Sequence, residues 1–168
     1  MKNNVSISLS RTWAMPNRFT FKIKPIKELL QKYVGNGKNW ADPFANENSP
    51  AEHTNDINPV LNTKYHLDAV EFLKLFDDNS LDGVLLDPPY SHHQITISYK
   101  DCGKTRVIAL TPVYNEVKRI VKSGGHVISF GWNSNGIGMV RGFNIMEVML
   151  VPCGGHHNDT IVTIEKKC

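Results

Sequence analysis

The chain has 168 residues, of which 40% are hydrophobic and 21% charged, a composition typical of one ordinary soluble domain. This composition excludes disorder, collagen and solenoid repeats, and the length predicts a single domain over residues 1–168. The net charge of +3 is unevenly divided: the basic N-terminal segment 1–38 carries +7, residues 39–90 carry −8 and residues 91–168 carry +4. The division predicts an arm that faces a polyanion beside an acidic pocket, although a solvated charged surface explains it as well.

The cysteines and the apolar runs indicate where the protein works. Cys102, Cys153 and Cys168 are widely spaced and form no Cys-x-x-Cys pair, so neither a disulfide framework nor a zinc ribbon fits them. The first ten residues contain no apolar signal core, and no run approaches 18 apolar residues. We therefore expect a cytoplasmic protein that is neither exported by a standard signal nor bound in a membrane.

Three segments have apolar residues at helical spacing together with start or stop signals. Pro25 opens the first segment and Gly35 ends it. Asp68 is placed to cap the second. Thr111 is predicted to cap the third, which runs to a stop at Gly124. The predicted helices cover residues 26–34, residues 68–76 and the segment from Pro112 to that stop.

Strand signals alternate with these helices. Residues 81–86 form the clearest strand, because their continuous apolar run is typical of a central strand buried on both faces. The last two strands leave no room for a long crossover and are predicted to pair as an antiparallel hairpin. The pattern predicts an α/β, Rossmann-like, doubly wound and mostly parallel seven-stranded sheet. The predicted strands are 39–42, 53–56, 65–67, 81–86, 126–130, 145–151 and 160–164.

Residues 91–110 form a polar stretch that is longer than a passive connection normally is. We interpret this stretch as a candidate lid or substrate loop. Its basic residues include Lys100.

The segment from Asp87 to Tyr90 (Asp-Pro-Pro-Tyr) directly follows the clearest strand. Two prolines stop the strand and hold the backbone rigid, which aims the Asp87 side chain and the Pro88 carbonyl at one point. Two acceptors suit the two N–H bonds of an exocyclic amine. Tyr90 offers a face for a base that is flipped out or single-stranded. The alternative interpretation of this motif is structural: a Pro-Pro turn with an Asp that caps a helix.

This motif and the segment from Asp42 to Ala45 (Asp-Pro-Phe-Ala) resemble the small phage-type DNA N6-adenine methyltransferases of the DPPY amino-methyltransferase family. The resemblance implies the class I methyltransferase fold, S-adenosylmethionine as cofactor and DNA as partner. It implies a catalytic role for Asp87, Pro88, Pro89 and Tyr90. Asn46 stands where the family usually has Gly, and Asn tolerates left-handed backbone better than other residues with a side chain.

The resemblance extends to further cofactor residues. Asp56 matches the acid that accepts hydrogen bonds from ribose hydroxyls, and Asp68 matches a residue near the adenine amine. Each acid alone is explained as well by a cap or a surface charge. The segment that contains Met15 matches a leader that borders the methionine end, although an apolar anchor explains it equally well. The implied cofactor-binding residues are Met15, Pro16, Asn17, Asp42, Pro43, Phe44, Ala45, Asn46, Asp56, Asp68, Ala69 and Asp87.

Other residues are expected at the substrate. Trp132 and Asn133, after the fifth strand, match a segment of the same family, although core packing is the alternative for Trp132. The segment from His156 to Asp159 invites a metal interpretation, but no further ligand lies at metal-binding spacing and the proposed transfer needs no metal. The expected substrate-binding residues are Tyr90, Lys100, Trp132, Asn133 and Asn158.

The sequence thus predicts methyl transfer to the N6 amine of adenine in DNA. The resemblance also implies a recognition region, and only residues 91–110 are long enough to touch bases. We therefore expect a short or relaxed target, or a homodimer or partner subunit that supplies recognition. Methylation of N4 in cytosine or of adenine in RNA remains open within the same chemistry. The alternative of another class is a catalytically idle cofactor- or DNA-binding module that acts beside a partner, and Asn46 in place of Gly is its best support.

Overall fold

A computed structural model of the protein describes residues 6–15, 17, 19–89, 109–154 and 158–168. Short 3₁₀ helices span Thr20–Lys22 and Met139–Arg141. Among the described residues, no helix is long and apolar enough to span a membrane. The strands are β1 (Ser8–Arg11), β2 (Trp40–Asp42), β3 (His53–Thr54), β4 (Leu81–Leu86), β5 (Val121–Gly131), β6 (Phe143–Val151) and β7 (Thr160–Lys167), and the α-helices are α1 (Lys24–Val34), α2 (Ala69–Leu73) and α3 (Leu110–Ile120).

The strands form one seven-stranded sheet in the order β1-β6-β7-β5-β4-β2-β3. Strand β7 is antiparallel to both of its neighbours, β5 and β6, and the other neighbouring pairs are parallel. The predicted mostly parallel sheet with an antiparallel C-terminal pair is confirmed. Strand β4 is buried from Gly83 to Leu86, as the apolar run predicts.

The prediction of a strand over residues 65–67 is wrong, because only a single bridge joins Tyr65 to Asn55. The Asn55 side chain accepts a hydrogen bond from the Leu67 amide (2.8 Å) and donates one to the Leu67 carbonyl (3.0 Å). The Asn55 side chain therefore makes the two hydrogen bonds to Leu67 that the backbone of a neighbouring strand would make. The seventh strand is β1, an exposed edge strand that was not predicted, although Ile7 and Leu9 alternate with serines in the sequence.

The ends of two helices also differ from the prediction. Helix α3 begins at Leu110, so Thr111 lies inside the first turn and is not the N-cap. The helix ends at Ile120 rather than at Gly124, because the chain enters β5 directly and its two glycines lie where the register of β5 with β4 shifts. Helix α2 is shorter than predicted, but Asp68 caps it by accepting a hydrogen bond from the Val70 amide.

Apolar clusters cover both faces of the sheet. On one face, α2 and α3 pack on the strands through residues such as Phe72 and Val117. On the other face, α1 packs through Ile26 and Leu30. Because both faces are covered, ligands reach the sheet at its edge, where the parallel strands end.

Candidate functional site

The carboxyl ends of β2, β3 and β4 bring the predicted acids to one edge of the sheet, which we call the carboxyl edge. Strand β2 ends at Asp42, Asp56 follows β3 and Asp87 follows β4. Strands β2 and β4 are neighbours, and the chain leaves β2 in the opposite direction, toward β3. Asp42 and Asp87 therefore flank the point at which the winding of the sheet reverses, the usual ligand site of doubly wound sheets.

Asp42 is completely buried and holds the loop that follows β2. One of its carboxylate oxygens accepts a hydrogen bond from the Phe44 amide (3.0 Å), and the other accepts one from the Ser49 hydroxyl (2.7 Å). Burial raises the pKa of Asp42 to about 7, although these two hydrogen bonds lower it, and the negative charges of Asp87 and Asp56 add to the rise. The carboxyl thus titrates near neutral pH.

Asn46 forms the turn that follows the Asp42–Ala45 segment. Its backbone has a φ of 45°, in the left-handed region that Asn tolerates. Its side-chain oxygen accepts a hydrogen bond from the Glu47 amide (2.8 Å), and its own amide donates to Asp56 (3.1 Å). Asn46 therefore closes this turn although it carries a side chain.

Asp56 and Asn55 tie the loops of this edge together. Asp56 is 1% exposed, and its second oxygen accepts a hydrogen bond from the Asn58 amide (2.9 Å). The side-chain amide of Asn55 donates to the Pro43 carbonyl (3.1 Å) while it also holds Leu67. Sequence reasoning missed Asn55. Its only signal is a polar residue between a strand and an acid.

Asp87 lies on a cavity of about 150 Å³ at the carboxyl edge. Burial raises the pKa of Asp87 to about 6, and a hydrogen bond from the Thr20 hydroxyl opposes that rise. Thr20 belongs to the 3₁₀ helix before α1 and was not predicted. The cavity is lined by Phe19, Thr20, Phe21, Phe44, Ala45, Asn46, Glu47, Asp87, Pro88 and Pro89.

Several other predicted cofactor residues that the structure describes do not line this cavity, although the Asn17 side chain accepts a hydrogen bond from the amide of Phe19, which does. Met15 is 68% exposed, and Asn17 is also exposed. Asp68 is exposed and its carboxylate caps α2, while Ala69 packs in the core. The apolar-anchor alternative for Met15 does not fit, since Ala14 is the residue of this arm that packs against the core.

The predicted substrate residues lie mostly at solvent. Trp132 is 47% exposed, which excludes the core-packing alternative. Asn133 and Asn158 are exposed as well, and the Asn133 side chain accepts a hydrogen bond from the Asn135 amide (3.0 Å). Pro16, Tyr90, Lys100, His156 and His157 lie outside the described residues, as does the substrate loop from 91 to 108.

Glu165 anchors the segment that carries Trp132, a role that sequence reasoning missed. This buried carboxylate accepts hydrogen bonds from the amides of Ile137 (2.7 Å) and Gly138 (2.9 Å). A Cβ on Gly136, which has a φ of 58°, would overlap the carboxylate. Burial raises the pKa of Glu165, and the two backbone hydrogen bonds oppose the rise.

Comparison with known proteins places this architecture. No family model and no curated protein sequence matches the chain. The 1,6-didemethyltoxoflavin-N1-methyltransferase of Burkholderia thailandensis, crystallised with 1,6-didemethyltoxoflavin and S-adenosylhomocysteine, is 13% identical, with a TM-score of 0.56 over 86% of this chain and 77% of its own. The putative methyltransferase yhhF of Escherichia coli is 11% identical, with a TM-score of 0.57 over 91% of this chain and 88% of its own.

A third similar structure is a putative class I S-adenosylmethionine-dependent methyltransferase from Listeria monocytogenes. It is 14% identical, with a TM-score of 0.52, and this chain covers 58% of its length. The chain has the class I methyltransferase fold. In this methyltransferase fold, the cavity beside Asp87 lies at the ligand-binding edge of the sheet.

Proposed function

We propose that the chain transfers a methyl group from S-adenosylmethionine to the N6 amine of adenine in DNA. The observation that carries the proposal is the cavity that Phe44–Glu47 and Asp87–Pro89 line together. The first segment belongs to the predicted cofactor loop, and the second is predicted to receive the amine. A shared cavity brings the two reactants to one place, and the methyltransferases of similar fold support this type of reaction.

The residues at this edge fit S-adenosylmethionine in kind. Asp56 is a buried carboxylate that holds the Asn46 amide at the cavity, and a carboxylate is the kind of acceptor that ribose hydroxyls require. Phe44 and Ala45 offer apolar surface beside it. The cavity is smaller than the roughly 300–1,000 Å³ of most ligand sites, so we expect the turn at Asn46 to move outward when the cofactor enters. When bound, S-adenosylmethionine supplies an electrophilic methyl group on a sulfonium centre.

The chain's own residues would position and polarise the amine. An ionised Asp87 and the Pro88 carbonyl accept its two N–H bonds and stabilise the positive charge that develops on nitrogen. Because the pKa of Asp87 is about 6, this carboxylate is mostly ionised at neutral pH. Thr20 holds it in place, and Tyr90 is the predicted stacking face for the base. No side chain needs to act as a nucleophile, since alignment supplies much of the rate.

Labelled S-adenosylmethionine and plasmid DNA from an unmethylated host test the proposal. We expect label in the DNA and N6-methyladenine in its nucleoside digest. Label in N4-methylcytosine, or label in RNA alone, would change the proposed substrate and leave methyl transfer as the reaction. A folded protein that binds the cofactor and labels no nucleic acid would refute the proposal. If the DNA is labelled, sequencing of methylated sites in the expression host would give the target sequence and show how strictly it is recognised.

A further inference from the structure

An exposed surface at the carboxyl edge is not explained by the chemistry above. It comprises Trp13, Met15, Lys22, Lys24 and Lys27, and we call it the N-terminal track. Trp13 and Met15 are 58% and 68% exposed. They follow β1, which is parallel to β6. Strands β6 and β5 are both antiparallel to β7, and β5 is parallel to β4, so β1 and β4 run in the same direction. The arm therefore leaves the sheet at the same edge as Asp87.

The arm that carries Trp13 is fixed in place. The Thr12 amide donates a hydrogen bond to the Leu150 carbonyl (2.9 Å), and the Ala14 amide donates one to the Pro152 carbonyl (3.2 Å). A Cβ on Gly154 would lie 3.5 Å from the Trp13 indole nitrogen, so Trp13 stands beside the turn that precedes β7. An aromatic face is thus exposed on a well-held backbone.

The lysines of the track line two grooves. Lys22 and Lys24 line a groove of about 620 Å³ with Trp13 and Met15, and among its described lining residues Glu28 is the one acid. Lys22 also lines a second groove, of about 560 Å³, with Lys27. Phe21 joins this second groove to the cavity beside Asp87.

The track lysines are available to a polyanion. Lys32, Lys74 and Lys122 form ion pairs with Glu147, Glu71 and Asp82. Within the described ranges, Lys22, Lys24 and Lys27 form none, and the Lys22 ammonium lies 4.7 Å from the centre of the Phe19 ring. Lys24 and Lys27 lie in the first turn of α1, which contains no acid. Cations there oppose the helix dipole, so they do not serve the stability of the helix.

We propose that the DNA strand beside the target base lies along the N-terminal track, with phosphates on Lys22, Lys24 and Lys27 and an unstacked base on Trp13. This inference rests on the proposed function and adds the surface that holds the DNA. Strands β1 and β4 are four positions apart, about 19 Å, which is five or six base steps and within reach of one strand. Lysines neutralise phosphates and a tryptophan stacks on any base, so the track reads no sequence.

The salt dependence of binding to a mixed-sequence duplex tests the lysines. We compare the triple variant Lys22→Gln, Lys24→Gln, Lys27→Gln with the matched triple Lys38→Gln, Lys118→Gln, Lys166→Gln, whose exposed lysines lie toward the opposite edge of the sheet. The slope of log K against log salt should fall in magnitude by about 0.9 per lost phosphate contact in the track variant, and stay unchanged in the control. Equal slopes in both variants would overturn the track.

The affinity for DNA that contains one unpaired base tests Trp13. Trp13→Ala should weaken binding about tenfold, whereas Trp13→Phe should retain most of it because a ring still stacks. Equal affinities for wild type and Trp13→Ala would overturn the stacking role. Each variant must first bind S-adenosylhomocysteine as the wild type does. Where the triple variant does not, single substitutions are compared instead, each with about 0.9 less slope.

The two proposals fail in different ways. If the wild type labels DNA but the track variant keeps the wild-type slope, only the track is refuted. If the wild type neither binds nor labels DNA, both proposals are refuted.

Discussion

The carboxyl edge has two halves that treat their side chains in opposite ways. At β2 and β3, Asp42 and Asp56 are buried and each carboxylate accepts two hydrogen bonds. After β1 and β5, Trp13 and Trp132 are about half-exposed. Burial of a carboxylate costs free energy of desolvation, and exposure of a tryptophan forgoes the gain of burial. Each half thus departs from what stability alone would favour.

The largest effect is expected at Asp87, where the two halves meet. Asp87→Ala should lower kcat for methyl transfer about a thousandfold, because it removes an acceptor that acts on the amine as charge develops. The affinity for S-adenosylhomocysteine should change far less. Labelled transfer and calorimetry measure the two quantities.

Asp82→Asn is the matched control for Asp87, since it changes an acid at the other end of the same strand, where Asp82 pairs with Lys122. It should leave kcat unchanged. An unaffected rate in Asp87→Ala would exclude the proposed role of the carboxylate.

A smaller effect, of about tenfold on kcat, is expected for Thr20→Val, which keeps the shape of the side chain and removes the hydroxyl. That hydroxyl lowers the pKa of Asp87. Among the described residues near this carboxyl, the charged groups Asp42 and Glu47 are acids. Without the hydroxyl the pKa of Asp87 rises, so the acidic limb of the pH–rate profile should move to higher pH.

Thr20→Ser keeps the hydroxyl and should restore both kcat and the acidic limb. A lower kcat in Thr20→Val with the limb unmoved would indicate a packing role for Thr20 instead.

Thr20 also shows what the sequence could not reveal. Strand β4 and helix α1 were predictable because apolar runs, proline and glycine act locally, and the acids after β2, β3 and β4 followed from strand position. The Thr20–Asp87 hydrogen bond joins residues far apart in the chain, and no periodicity marks it. Glu165 is missed for the same reason: its partners are the backbone amides of a distant loop. Strand β1 was missed although Ile7 and Leu9 alternate with serines, and both apolar side chains are exposed at the edge of the sheet instead of packing in the core.

The buried half should also control stability against pH. The pKa of Asp42 is raised from 3.8 to about 7 in the folded protein, so the folded state binds more protons than the unfolded state between those values. Stability should therefore fall as the pH rises through this window. Asp42→Asn keeps an acceptor for the Phe44 amide and removes this ionisation.

The variant should melt about 3–6 °C above the wild type at pH 8, and this advantage should shrink as the pH is lowered toward 4. Its affinity for S-adenosylhomocysteine should fall. If the melting temperatures of both proteins depend on pH in the same way, the ionisation of Asp42 does not destabilise the folded state.

The smallest effect is expected at Asn46. Asn46→Gly keeps the left-handed turn and should change the affinity for S-adenosylhomocysteine by less than about twofold. Asn46→Ala should weaken it about fivefold, because a left-handed Ala costs about 1 kcal/mol and the hydrogen bond to Glu47 is lost. Asn48→Ala is the control. Asn48 also has a positive φ (74°), but the backbone amide that donates a hydrogen bond to Asp56 is that of Asn46. If Asn48→Ala weakens binding equally, the strain of the whole loop matters; if Asn46→Gly does so, the Asn46 side chain itself contacts the cofactor.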